Sequence, residues 1–192
     1  ICEGLVGSEM CIRDSYQPAG YWQHLNFPAR KWQAGTGEDL YRRGLYTFHC
    51  RSFTHPAMLA FDAPSREECT AERPRSNIPQ QALVMLNDPV FVEAARVFAE
   101  SLLWDPVKKD QDKINLAFEK ALTRKANGVE VKVMLELLDD QRMRYRKDKQ
   151  AALELLQTGQ KPFDTKLPQA ELAAWTSVSR TLLNLYETTA RF

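Results

Sequence analysis

The sequence predicts a mainly α-helical protein, in which an irregular, aromatic-rich N-terminal segment wraps a bundle of about five helices. Two observations support this fold class. From Pro79 onward, apolar residues recur at the helical period, and capping residues or prolines stand where each apolar stripe begins. Before residue 76 the chain instead mixes aromatic residues with prolines and glycines and shows no sustained period.

Residues 16–75 form the predicted irregular part. Their aromatic rings are expected to anchor this segment on a core that lies elsewhere in the chain. A short strand or an extended run is expected around Leu45 to Phe48, where apolar residues cluster. Exposed Trp22 and Trp32 rings would instead indicate a glycan-binding module, because flat apolar rings suit the CH-rich faces of sugars.

Residues 76–192 form the predicted helical part, which begins with two helices. The first starts near Pro79, with Ser76 or Asn77 as its cap. The second has Asp88 as N-cap and proline at its first position, and it continues to about residue 103.

Three further helices complete the predicted bundle. One covers about 111–122 and presents an apolar stripe. The next begins at a capping box formed by Asn127 and Glu130 and continues to about Leu156. The last opens at Pro168 and ends near Leu185.

Composition and charge exclude several classes of function. The 192 residues are 44% hydrophobic and 27% charged, as in ordinary globular proteins, and the net charge is +1. A near-neutral chain gives no reason to expect nucleic acid or an anionic membrane as a partner. No apolar run approaches the roughly 20 residues of a membrane-spanning helix, and no signal peptide is visible at the N-terminus.

The N-terminus resembles a laboratory sequence rather than a native one. The stretch LVGSEMCIRDS, Leu5 to Ser15, matches one translated frame of a widely used transposon sequencing adapter. We therefore expect residues 1–15 to be adapter-derived and to pack poorly, and we assign residues 16–192 to the native protein. The native N-terminus is expected to lie upstream, so the chain is expected to be a fragment.

Histidine and cysteine spacing predicts no metal site. The sequence contains no His-x-x-x-His or Cys-x-x-Cys pair that could bring ligands together. Once the adapter-like residues are set aside, Cys50 and Cys69 are the remaining cysteines. A disulfide between them and two free thiols are both compatible with the sequence.

A polar loop before the first helix contains the candidate site residues. They are Asp62, Arg66, Glu67, Arg73 and Arg75. As an active site, the carboxylates would do acid–base work while the arginines clamp an anionic substrate. As structure, the acids would cap turns and the arginines would tie the loop to carboxylates, and this interpretation is favoured.

Several stretches resemble a known family. They are YQPAGYW, LYRRGLYTF, PAMLAFDAPSREECT, RPRSNIPQQALVMLNDPVFVEAAR and LAAWTSVSRTLLNL. In this order they are similar to the C-terminal part of the domain of unknown function family 1553, found mainly in planctomycetes and verrucomicrobia. The resemblance covers residues 16 to 192 almost completely.

The resemblance implies a longer, exported protein of the periplasm or cell envelope. Members of that family usually have a further domain upstream, often with a c-type cytochrome domain that attaches haem through Cys-x-x-Cys-His. This chain contains no such motif, so it is expected to hold no cofactor itself, with haem c placed in an upstream domain. The upstream domains are then its expected partners.

Two hypotheses about function follow. In the first, the chain is a non-catalytic structural and interaction module beside a cytochrome-type redox domain. In the second, it is part of an enzyme that acts on polysaccharides or their sulfate esters, with the polar loop in its site. Convergence of the Asp62 and Glu67 carboxylates with the guanidinium of Arg73 or Arg75 in one open cleft would favour the enzyme.

Overall fold

The computed structural model describes residues 11–14, 16–18, 20–24, 31–41, 44–50, 54–65, 68–72, 74 and 76–189. The chain divides into two compact units, residues 1–84 and residues 85–192. Most of the described residues are helical, which confirms the mainly α-helical class. The wrapping of the N-terminal segment over the bundle stays a prediction.

Up to residue 78, the described residues of the N-terminal unit form a small sheet, tight turns and one short helix. Strands β1 (Cys11–Asp14) and β2 (Lys31–Ala34) pair in parallel, with residue 12 opposite residue 32. Helix α1 (Pro56–Ala60) is capped by His55, whose Nδ1 accepts a hydrogen bond from the Ala57 N–H at 3.2 Å. The remaining regular structure here consists of 3-10 turns at Tyr21–His24, Gly37–Tyr41 and Gly44–Tyr46.

The strand predicted around residues 45–48 is wrong. Residues Gly44–Tyr46 form a 3-10 turn instead, closed by the Thr47 N–H, which donates to the Gly44 carbonyl. Gly44 lies against Met58, so closely that a Cβ on it would come 2.8 Å from Met58 Cε. Glycine therefore permits this close approach to Met58, a long-range contact that the residue types of the run do not indicate.

Strand β1 lies within the adapter-like residues 1–15, and the sequence did not predict it. Its backbone pairs with β2 along four residues. The test of the adapter assignment is the burial of Met10 and Ile12. Both side chains lie outside the described residues, so the assignment stays a prediction.

The helical region contains seven further helices among the residues that the structure describes. They are α2 (Pro79–Asn87), α3 (Pro89–Leu103), α4 (Asp110–Leu122), α5 (Gly128–Lys147), α6 (Lys149–Leu156), α7 (Gln169–Leu183) and α8 (Tyr186–Thr189). None of these helices, nor α1, combines the length and apolar character needed to span a membrane.

Local capping chemistry sets several helix ends as predicted. Asp88 accepts a hydrogen bond from the Val90 N–H at 2.9 Å at the start of α3. The Asn127–Glu130 capping box is present at the start of α5. The single helix predicted from this box to residue 156 is wrong, however, because Asp148 ends α5 and caps α6 by accepting from the Ala151 N–H at 2.9 Å.

Helix α7 lies at the centre of the second unit. It packs against α3, α4, α5 and α6, and the five consecutive residues 172–176 are all buried. A helix that is buried on every side must be surrounded by other elements. Small residues Ala173 and Ala174 allow neighbouring helices to approach, while Trp175 fills the space between them.

Candidate functional site

One of the five candidate site residues can be placed. Asp62 belongs to the described residues, whereas Arg66, Glu67, Arg73 and Arg75 lie outside them. The convergence of these side chains that would favour the enzyme therefore lies outside the described residues. The geometry around Asp62 is informative by itself.

Asp62 ends helix α1. Its backbone adopts a left-handed conformation with φ of 55°, which Asp tolerates better than most residues. Its N–H donates to the Leu59 carbonyl at 3.2 Å, and the Ala63 N–H donates to the Met58 carbonyl at 3.0 Å. This hydrogen-bond pattern is the Schellman motif, which satisfies carbonyls at a helix end.

The Asp62 carboxylate joins the two ends of the polar loop. It accepts a hydrogen bond from the Ser76 N–H at 2.8 Å, and the Ser76 hydroxyl lies 2.8 Å from both carboxylate oxygens. The Ser76 carbonyl in turn accepts from Gln81 Nε2 at 3.0 Å, which links this point to α2. We call this contact the Asp62–Ser76 clamp, because it closes the loop through the Asp62 carboxylate.

The cysteines and histidines of the described residues form no metal centre. No group of three His, Cys, Asp or Glu side chains in this part of the chain could hold an ion. Cys50 and Cys69 are free thiols, so they do not pair, and Cys69 is exposed. His55 caps α1, and His49 Nδ1 lies 3.3 Å from the Thr47 carbonyl oxygen.

The glycan-binding option loses its main support. Trp22 is 6% exposed, its ring stacks on Trp32 at 5.4 Å between centroids, and its Nε1 donates to Gln17 Oε1 at 2.6 Å. Trp32 is half-buried and meets His55 edge to face. A ring that is already covered by another ring cannot stack on a sugar with that face.

A buried charged stripe on α3 was missed by the sequence prediction. Arg96 is fully buried, and its guanidinium donates to Glu100 Oε1 at 2.8 Å and to the Lys161 carbonyl at 2.5 Å. Glu93, 4% exposed, accepts from the backbone N–H groups of Gln160 at 2.6 Å and Lys161 at 3.3 Å. We call Glu93, Arg96 and Glu100 the α3 stripe.

The α3 stripe holds the loop between α6 and α7. Its charges face backbone groups of residues 160–164, including the Asp164 N–H, which donates to Glu100 Oε1 at 3.4 Å. The available signal in the sequence was the spacing of the three charges, which places them on one helical face. Nothing in that spacing distinguishes a solvated face from a buried one.

A second cluster joins α4, α5 and α7 through Arg142. The Arg142 guanidinium donates to Glu171 Oε1 at 2.5 Å and to Asp110 Oδ2 at 2.6 Å. Hydrogen bonds to Glu171 and then Asp110 raise the pKa of Arg142 further above its ordinary value, so it stays a cation. Glu171 also accepts from Trp175 Nε1 at 3.0 Å, which fixes the carboxylate in place.

A third cluster joins the α4–α5 turn to α8. Arg124 donates to Glu130 Oε1 at 2.8 Å and to Glu187 Oε2 at 2.6 Å. Hydrogen bonds from Arg124 lower the pKa of both glutamates. Since Glu130 also completes the capping box of α5, this triad fixes the start of α5 and the position of α8 together.

These contacts assign the charged clusters of the described residues to structure. Each carboxylate of the α3 stripe, the Arg142 cluster and the Arg124 triad is bound to an arginine or to backbone N–H groups. A general acid or base needs a proton-transferring atom within reach of a substrate. The carboxylates of these clusters are bound by groups of the protein itself instead.

Comparison with known proteins gives one match. The model of a family described as PSD1, protein of unknown function (DUF1553), matches residues 8–138. Searches of the curated proteins and of the solved structures give no significant match. The matched range includes the loop closed by the Asp62–Ser76 clamp and helices α2 to α4, and it begins within the adapter-like residues.

Proposed function

The chain belongs to the DUF1553 family, and we propose that it acts as a non-catalytic structural and interaction module of a longer protein. Its task is to pack against other domains of the same polypeptide and hold them in place. Helix α7, enclosed by four neighbouring helices, gives the module a rigid centre for that task.

The proposal extends to the cellular context of the protein. By resemblance to the family, the longer protein is exported to the periplasm or cell envelope and includes a c-type cytochrome domain. This chain contains no Cys-x-x-Cys-His motif, so covalent haem would belong to another domain. The module would then serve the assembly of a redox protein without touching the electron path itself.

The observation that carries the proposal is the Asp62–Ser76 clamp. Asp62 is the candidate carboxylate that the structure places, and its oxygens are bound to the N–H and the hydroxyl of Ser76. A carboxylate that is held by a loop-closing N–H and hydroxyl is less available as a general base, because these two donors stabilise its ionised form and fix its orientation.

The crowding of charge in residues 62–75 favours one alternative function. Arg66, Glu67, Arg73 and Arg75 stand close together in the sequence, and arginines are well suited to bind sulfate or carboxylate groups. The alternative is therefore an enzyme that acts on polysaccharides or their sulfate esters, with these residues in its site.

The test uses the intact protein encoded by the complete reading frame. Wild type, Arg75→Ala and the control Lys108→Ala are assayed for polysaccharide cleavage and sulfate release, with folding checked by circular dichroism. If the chain is a non-catalytic module, the Arg75→Ala protein should show the same activity as the Lys108→Ala protein, or it should fail to fold. A loss of about 100-fold or more in a normally folded Arg75→Ala variant would establish the enzyme instead.

The interaction role is tested separately. This chain and the remainder of its polypeptide are produced as two proteins and passed together over a size-exclusion column. We expect one joint peak, because domains that pack together through a specific interface associate when separated. Two independent peaks at micromolar concentration would contradict the interaction role.

A further inference from the structure

Four exposed cations cluster where α5 meets α6. Arg144, Arg146 and Lys147 lie in the last turn of α5, and Lys149 is the first residue of α6. In the part of the chain that the structure describes, none of the four forms an ion pair. We call these four residues the basic patch.

Among the described residues, the acidic groups near the basic patch form no ion pair with it. Asp148 accepts the N–H of Ala151 at 2.9 Å as the cap of α6. Asp139 lies 3.4 Å from Arg142 Nη1, and Glu154 accepts from Gln150 Nε2 at 3.0 Å. Asp140 precedes Arg144 by one turn without forming an ion pair with it. The positive charge of the patch is therefore not neutralised by direct contacts.

Stabilisation of the helix end explains only part of the patch. Cations in the last turn of α5 interact favourably with the helix dipole, which accounts for Arg144, Arg146 and Lys147. The helix dipole does not explain Lys149, because a cation in the first turn of a helix interacts unfavourably with the dipole. Arg144 and Arg146 stand two positions apart on α5 and so lie on different sides of the helix. An extended anionic chain, rather than a single anion, would therefore be needed to reach all four charges.

We propose that the basic patch binds an acidic segment of a protein partner. The proposal rests on the interaction role and names the chemistry of the partner. Arginine guanidinium groups pair with carboxylates through two parallel hydrogen bonds. Arg144 lies over the Tyr145 ring at 5.6 Å from its centroid, and among the described residues neither Arg144 nor Arg146 is paired with a carboxylate. A run of glutamate or aspartate side chains supplies such carboxylates at the spacing of a flexible chain.

The surroundings of the basic patch favour a peptide over other polyanions. Tyr145 is 5% exposed and hydrogen-bonded to Ser177 at 3.1 Å, so its ring offers no platform for stacked bases or sugars. Within residues 142–150, Met143 is the exposed apolar side chain, which is too little apolar surface to insert into a membrane.

The experiment compares two variants of the whole 192-residue chain with equal charge changes. The patch variant carries R144Q, R146Q, K147Q and K149Q. The control variant carries K108Q, K109Q, K161Q and K166Q, which remove four exposed lysines from other places. Glutamine keeps helix propensity, so both should fold, and circular dichroism checks this.

The probe is a fluorescein-labelled peptide of ten glutamates, followed by anisotropy in about 0.15 M salt. We expect the patch variant to bind at least about tenfold more weakly than wild type and the control variant within about twofold. Equal weakening in both variants would overturn the proposal, since net charge alone would then explain binding.

Three competing probes test the class of partner. They are heparin, a deoxythymidine oligonucleotide and vesicles that contain phosphatidylserine. The glutamate peptide should have the highest affinity when the affinity of each probe is divided by its number of negative charges. A tighter patch-dependent affinity for any of the three would overturn the acidic segment as the partner. Co-elution of the chain with the remainder of its polypeptide is measured independently, so this proposal can fail while the interaction role stands.

Discussion

Acidic residues in this chain differ in what their surroundings do to them. Asp62 and Asp88 both bind backbone N–H groups, one across a loop and the other at the start of a helix. Burial raises the pKa of Asp88, and the hydrogen bond from Val90 opposes this shift only in part. Glu130 and Glu187 show the opposite shift because Arg124 binds them. The pKa of a carboxyl group is therefore raised at one position and lowered at others, so the stability that each group contributes changes with pH in opposite directions.

Asp88→Asn should remove a pH-dependent cost from α3. Because the folded-state pKa of Asp88 is raised, its contribution is full below its ordinary pKa and is lost as the pH rises through the raised value. Asparagine keeps the capping oxygen without a charge. We therefore expect wild type to lose stability relative to Asp88→Asn as the pH rises from about 4 to 7 in urea unfolding.

Asp88→Ala serves as the matched comparison for the cap itself. It removes the acceptor for the Val90 N–H and should be about 1 kcal/mol less stable than Asp88→Asn at all pH values, because neither variant carries the titrating carboxyl. If the free energy of unfolding changes equally with pH in wild type and in Asp88→Asn, burial does not raise the pKa of Asp88.

Gly159→Ala should destabilise the chain strongly. Gly159 has φ of 99°, where a non-glycine backbone costs about 1–3 kcal/mol, and a Cβ there would collide with the Glu93 carboxylate. The collision would push the loop away from the α3 stripe. Thermal unfolding measures the loss.

Gly128→Ala is the control for Gly159→Ala. No atom lies within 4 Å of a Cβ at Gly128, and alanine suits the first turn of α5. We expect an unchanged or slightly higher melting temperature there. Similar melting temperatures for the two variants would contradict the close fit of Gly159 against Glu93.

At the scale of elements, charged side chains decide where short segments lie. The α6–α7 loop is bound through the α3 stripe, and the four-residue helix α8 is bound through the Arg124 triad. Phe163 and Leu167 of the loop and Leu185 before α8 also pack against the core. Polar contacts add to this packing, and salt screens the exposed pairs of the Arg124 triad among them.

Glu187→Gln should loosen α8. The pKa of Glu187 is lowered by Arg124, so its contribution is present above its ordinary pKa and lost as the pH falls through the lowered value. We expect faster hydrogen exchange at Thr188 and Thr189 in the variant at neutral pH. The difference from wild type should shrink below about pH 4 and in about 1 M salt.

Glu136→Gln provides the control for α8. It removes a partner of Lys132 at 3.9 Å in an exposed pair on α5, and α8 exchange should not change. Unaltered exchange in Glu187→Gln would show that the apolar contacts of Leu185 hold α8 without the ion pairs.

At the scale of the whole chain, local chemistry was predictable and distant contacts were not. Asp88 and Asn127 were found as caps because their hydrogen bonds reach only two or three residues along the chain. The burial of Arg96 was missed because its partner carbonyl lies 65 residues away. The break at Asp148 likewise depends on how α5 and α6 each pack against α7.

At the candidate site, too, the local feature was predictable and the distant contact was not. The sequence identified Asp62 as a turn residue, which its left-handed backbone confirms. It did not identify Ser76 as the partner of Asp62, because two polar residues 14 positions apart share no periodicity. The ion pairs of Arg142 and Arg124 were missed for the same reason.

The Asp62–Ser76 clamp has a consequence for how this loop can evolve. The clamp joins the two ends of the loop, so the geometry of α1 and α2 at those ends does not depend on the number of residues between them. Closing a loop of twice the length costs only about 0.6 kcal/mol more. Relatives that keep Asp62 and Ser76 are thus able to lengthen, shorten or recharge the intervening chain, and to acquire new surface chemistry there, without refolding the rest.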